Sequence, residues 1–143
     1  MTIRRIFVIM LAVAGIGTAS ASAQSKDASA TLGSVHLSRA VEANGQSLAA
    51  GTYQIRLSSD PVTPVVGQSP EGERWVEFVK GGTVAGKEVA SVIPAADIKA
   101  VAKGPVPPAG APRIEMLQGG EYLRIWIVKS GTTYLVHLRT AAK

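Results

Sequence analysis

Between Arg113 and Arg139 apolar side chains return at every second position, and two pairs of turn residues, Gly119-Gly120 and Ser130-Gly131, interrupt the pattern. A period of two belongs to an extended chain, whose side chains alternate between the faces of a sheet, and it does not suit a helix. The segment reads as three strands, Arg113 to Gln118, Glu121 to Lys129 and Thr132 to Arg139, joined into a β-meander by primed two-residue turns. Those turns set the register. If Gln118 faces Glu121, Met116 meets Leu123 and Ile114 meets Ile125; if Lys129 faces Thr132, Ile127 meets Tyr134, Ile125 meets Val136 and Leu123 meets Leu138. Every member of that face is apolar, so it is the expected core side, and a slip of one residue would turn all of it outward.

The opposite face carries the candidate site. Its cross-strand rows are Arg113 with Trp126 and Leu135, Glu115 with Arg124 and His137, and Leu117 with Tyr122 and Arg139. Tyr122, Arg124, Trp126, Arg113 and His137 form a candidate binding face, because flat rings on rigid strands cover a sugar or peptide at low entropy cost. Arg113 is expected over the Trp126 ring, and Glu115 beside Arg124. The competing reading is a face that only stabilises the sheet, or one covered by the loop Gly104 to Pro112, whose four prolines make it extended and stiff.

Upstream the same period continues. Val35 and Leu37 alternate with Ser34, His36 and Ser38, and Tyr53, Ile55 and Leu57 with Gln54, Arg56 and Ser58, while Asn44-Gly45 and Ala50-Gly51 mark turns. Arg74 to Lys80 and Val84 to Ile93 form a hairpin around Gly81-Gly82. A weaker strand is expected at Val62 to Val66, confined to an edge by Pro61 and Pro64. One short helix competes at Ala95 to Lys103. The expected fold is therefore all-β, an antiparallel β-sandwich or small open barrel of seven to nine strands, in a single domain over residues 31–140.

The first 23 residues read as a cleavable signal peptide. Arg4 and Arg5 precede an apolar run from Ile6 to Ile16, and Ala21-Ser22-Ala23 supplies the small-residue cleavage pattern. The run is about half the roughly 20 residues that a helical membrane span needs, and no later stretch offers a second candidate. Residues 24–30 are a small, polar leader. The expectation is export to the periplasm or the extracellular space. Without Arg4 and Arg5, 13 basic residues face 10 acidic ones, a net charge of +3 instead of +5. They are scattered singly, so no nucleic-acid stripe or polybasic membrane patch is expected. With no cysteine there is no disulfide and no thiolate site.

Catalytic signatures are lacking. Gly67-Gln68-Ser69-Pro70-Glu71 has Glu where a nucleophile elbow needs its second Gly, and Lys129-Ser130-Gly131 has no S-x-x-K companion. Gly86-Lys87 is followed by Glu instead of Ser or Thr, so it is no phosphate loop. The two histidines, His36 and His137, share no ligand spacing, and a zinc site would have to recruit a distant Asp60, Glu88 or Asp97. No metal, cofactor or catalytic residue is expected.

Two stretches carry a resemblance. Asn44 to Leu57, with its Leu48-Ala49-Ala50-Gly51-Thr52-Tyr53, resembles a hairpin found in many secreted bacterial β-domains. Gly86 to Ala90, Gly119 to Trp126 and Thr133 to Leu138 are similar to a family of small uncharacterised exported bacterial β-domain proteins with no known activity. The resemblance implies an envelope or secreted β-domain and supplies no site residues. The favoured function is a non-catalytic binding module whose partner is a glycan, a peptide or an envelope protein. Self-assembly or partner binding through an exposed strand edge is the alternative, and a hydrolase with dispersed residues is the last.

Overall fold

A computed structural model describes residues 30–63, 66–67 and 70–141. The expected signal peptide and all of the leader but Ala30 lie outside the described residues. Among the described residues nine antiparallel strands and one short α-helix follow in chain order: β1 Thr31–Leu37, β2 Val41–Ala43, β3 Gln46–Leu48, β4 Gly51–Leu57, β5 Glu73–Lys80, β6 Thr83–Ile93, α1 Ile98–Val101, β7 Arg113–Leu117, β8 Tyr122–Lys129 and β9 Thr132–Thr140. The fold is all-β, as the periodicity predicts.

The strands form one continuous sheet in the order β1-β4-β5-β6-β9, extended beyond β9 by β8 and β7. The sheet is rolled around a single core, because β1 returns to within 8 Å of β8 between Cα atoms. It stays open between β1 and β7, which share no ladder. A Cβ on Gly33 would lie 2.8 Å from the Pro112 ring, so the two edges approach closely there and only a residue without a side chain fits.

The meander register is the expected one from Arg113 to Leu117 and from Tyr122 to Arg139, while Gln118 and Glu121 fall in the turn instead of pairing. Ile114 pairs with Ile125 and Met116 with Leu123, while Leu123, Ile125 and Ile127 pair with Leu138, Val136 and Tyr134. Leu123, Ile125, Ile127, Val136 and Leu138 are buried with Leu37, Ile55, Val76 and Phe78 from the other side of the roll. Met116 departs from this, at 45% exposed. It stands near the end of an edge strand, where the inner face runs past the core.

Primed turns do most of the local folding. Asn44-Gly45, Gly81-Gly82 and Ser130-Gly131 all take positive φ, the conformation whose twist matches a two-residue hairpin. At Gly119-Gly120 the left-handed stretch begins one residue early, with Gln118 at φ 49°, so pairing of β7 and β8 ends at Leu117 with Tyr122. The hairpin of β2 and β3 goes beyond the sequence expectation, which placed only a turn there. No strand occurs among the described residues of the segment Val62 to Val66.

β6 divides its edges between two neighbours. It pairs with β5 from Thr83 to Ser91, but with β9 only from Ala90 to Ile93. Where it leaves β9, the β2–β3 hairpin takes its place, pairing Val41 and Glu42 with Thr140 and Arg139. The hairpin packs tightly onto Gly86, where a Cβ would come within 2.9 Å of Leu48 Cδ2.

Candidate functional site

The crossover from β6 to β7, residues 94–112, folds back over the outer face of the meander. Its helix has only four residues and no side-chain cap, too little to be stable alone, so its place is set by packing. Ile98 and Ala102 rest against Ile93, Trp126 and Leu135, which form a second, smaller core outside the sheet. Trp126 is 2% exposed. An open stacking platform at Trp126 is thereby overturned: the ring is covered by Ile98 and Ala102 of the crossover.

Around that ring the polar side chains are bonded to one another. Trp126 Nε1 donates to Glu115 Oε2 at 2.8 Å, and Arg113 Nη2 donates to Glu115 Oε1 at 2.9 Å. Arg113 Nη1 donates to the Pro105 carbonyl, which ties the proline segment to β7. The guanidinium carbons of Arg113 and Arg124 lie 5.5 and 5.9 Å from the indole centroid, a cation-π arrangement worth about 1–2 kcal/mol when part-buried. Arg113 Nε is buried without a partner. With Nη2 bonded to Glu115 and Nη1 to the Pro105 carbonyl, Arg113 belongs to the clasp that holds the crossover down.

Arg124 differs. Its Nε donates to His137 Nε2 at 3.0 Å, and its Nη1 stands 3.8 Å from Glu115 Oε2, an ion pair beyond hydrogen-bond distance. Its side chain keeps 29% of its exposure, at a concavity of about 710 Å3 lined also by Val101, Lys103, Glu115 and Leu117. Because a guanidinium is always protonated, it must donate in this bond, so His137 Nε2 accepts and a neutral His137 carries its proton on Nδ1. Tyr122, half-buried, stands in the next row with Leu117 and Arg139, outside the bonded cluster. Of the five predicted residues, then, Arg113 and Trp126 build the support, and Arg124 and His137 form the open part.

His137 titrates below its ordinary value near 6.5, first because of partial burial and second because of the Arg124 charge, with Glu88 acting in the opposite sense. The unfolded chain therefore takes up this proton more readily than the folded one. The contribution to stability is complete above about pH 6.5 and declines as pH falls through that value. Urea midpoints measured between about pH 7.5 and about pH 5 should drop more steeply in the protein than in His137→Gln. Identical slopes would show that His137 is unperturbed.

Sequence reasoning missed a second tryptophan. Trp75 is half-buried on the outer face of β5, opposite Val89, and lines a groove with Asn44, Gln46, Asp60, Val84 and Lys87. The outward position of Trp75 was readable from its alternation with Val76 and Phe78, but its companions come from segments scattered along the chain. Among the described residues no group of three or more His, Asp and Glu is placed to hold a metal ion, and no helix is long and apolar enough to cross a membrane. No protein-family model matches the chain, and neither does any curated protein or solved structure.

Proposed function

We propose that the protein is an exported, non-catalytic binding domain that recognises an acidic group of its ligand through Arg124. The state of that guanidinium carries the reading. Trp126 beneath it, His137 at its Nε and Glu115 on one side hold it in place, yet its Nη groups are left without a hydrogen-bonded acceptor among the described residues. Ordering a long side chain costs about 1.5–2 kcal/mol of rotamer entropy, and a cation ordered in advance with open donors suits a bidentate carboxylate or phosphate. The concavity adds Lys103, so three cations face the single carboxylate of Glu115. The two groups beside Arg124 that could do chemistry, His137 Nε2 and the Glu115 carboxylate, are both engaged as hydrogen-bond or ion-pair acceptors, which favours recognition over chemistry.

Carboxylates occur on glycans and on peptides, so the test uses both. The protein recovered after export, with Gln24 as its first residue, is titrated calorimetrically with an oligogalacturonate and with a short polyglutamate peptide. One of them should bind in a salt-sensitive manner, and Arg124→Gln should weaken it at least about tenfold, the loss of a charge-assisted pair. Undiminished binding by Arg124→Gln, or no binding of either probe, would remove the proposal.

A further inference from the structure

The Trp75 groove shares no lining residue with the concavity at Arg124, and its electrostatics are of another kind. A cross-strand row joins Arg56 on β4, Glu77 on β5 and Lys87 on β6. Arg56 Nε donates to Glu77 Oε2 at 2.6 Å, Lys87 lies 3.4 Å from Glu77, and Lys87 also pairs with Asp60. Two cations and two carboxylates cancel. Asp60 is held below the usual carboxylate range by its hydrogen bond to Lys87 and stays ionised. The two charged residues that line the groove, Asp60 and Lys87, thus pair with each other, and they present donors and acceptors beside an indole ring.

Its other wall is the β2–β3 hairpin. The turn sets Asn44 in the left-handed region at φ 46°, and its backbone N–H donates to Glu88 Oε2 at 2.6 Å, so the hairpin tip is anchored to β6. Asn44 and Gln46 then face Trp75, Val84 and Lys87 across a groove of about 480 Å3. The same hairpin covers the face of β6 at Gly86, where Leu48 and Ala43 lie against its backbone. What remains is recognition by side chains: one flat apolar surface, two neutral amides, and an acid and an amine already balanced. That set matches a neutral polyhydroxylated ring, whose C–H face covers an indole while its hydroxyls exchange hydrogen bonds with planar polar groups.

We propose that this groove binds a neutral carbohydrate, with Trp75 beneath the sugar ring and Asn44, Gln46, Asp60 and Lys87 addressing its hydroxyls. The site is independent of the acidic-group reading at Arg124 and goes beyond it.

The two tryptophans make the test selective, since Trp126 is buried and Trp75 is half-open. The full protein is titrated with cellotetraose, maltotetraose and the tetramer of N-acetylglucosamine up to millimolar concentration, by calorimetry and by tryptophan fluorescence. At least one should bind saturably, with a fluorescence change that persists in Trp126→Phe. Trp75→Ala should weaken binding at least tenfold. Asn44→Gly, which keeps the turn and removes only the amide, should weaken it several-fold, and this variant decides the matter should Trp75→Ala fail to fold. If none of the three sugars binds, or if both Trp75→Ala and Asn44→Gly bind as the parent does, the groove is not a carbohydrate site. Arg124→Gln should leave sugar binding unchanged, and a loss there would place the sugar at the other site and overturn the assignment.

Discussion

Trp126→Ala should cost about 3–5 kcal/mol in urea unfolding, the range for deleting a large buried ring, and it should do so without touching the main core. The ring is 2% exposed and joins Ile93 and Leu135 to Ile98 and Ala102 of the crossover. Its removal also leaves Glu115 Oε2 without its 2.8 Å donor and takes away the surface on which Arg113 and Arg124 rest. Since a domain of this size holds only about 5–15 kcal/mol in total, such a loss is a large share. Amide exchange should localise it. Residues 98–112 should lose protection first, because the four-residue helix has no side-chain cap and Trp126 is the largest residue it packs against, while Ile55, Phe78 and Val136 should exchange only by global unfolding. Trp126→Phe keeps most of the apolar area and loses the N–H, so it should cost less, about 1–3 kcal/mol. A loss below about 1 kcal/mol for the alanine variant would mean that the crossover is held by something other than this ring.

How far these features were legible follows from how local each one is. The meander was readable because its two signals, turn residues and dyad alternation, lie within 27 consecutive residues and agree with each other. The row that places Glu115 beside Arg124 and His137 came from the same register. The cover over Trp126 was less visible, since residues 94–112 have no period that betrays which face they return to. The β2–β3 hairpin escaped for another reason: strands of three residues are too short to show alternation, leaving Asn44-Gly45 as their only mark. Met116 obeys the apolar pattern yet stays 45% exposed, because pattern reports the face of a strand and not how far the core extends beneath it. The Trp75 groove draws on residues from Asn44 to Lys87 in four separate segments, a constellation that only tertiary structure assembles.

Both the clasp around Trp126 and the open side of Arg124 depend on which way the pleat of β8 points, and a pair of adjacent substitutions tests this directly. Ile125 is fully buried between Ile114 and Val136, in a strand with neighbours on both edges. A lysine there has no short route to water. Burying its ammonium, or deprotonating it to avoid doing so, costs several kcal/mol, and the packing of an aliphatic side chain is lost as well. Ile125→Lys should therefore lose at least about 4 kcal/mol, which leaves the domain largely unfolded at room temperature if its stability lies at the low end of the usual range. Arg124→Lys, one position earlier, stays on the outer face and keeps the charge; it forfeits the bond to His137 and part of the contact with Trp126, about 1–2 kcal/mol. Circular dichroism melts of the two variants should thus be far apart. Were the strand displaced by a single residue, the ranking would reverse, because the arginine side would then face Phe78 and Val136 and the isoleucine side would face the crossover.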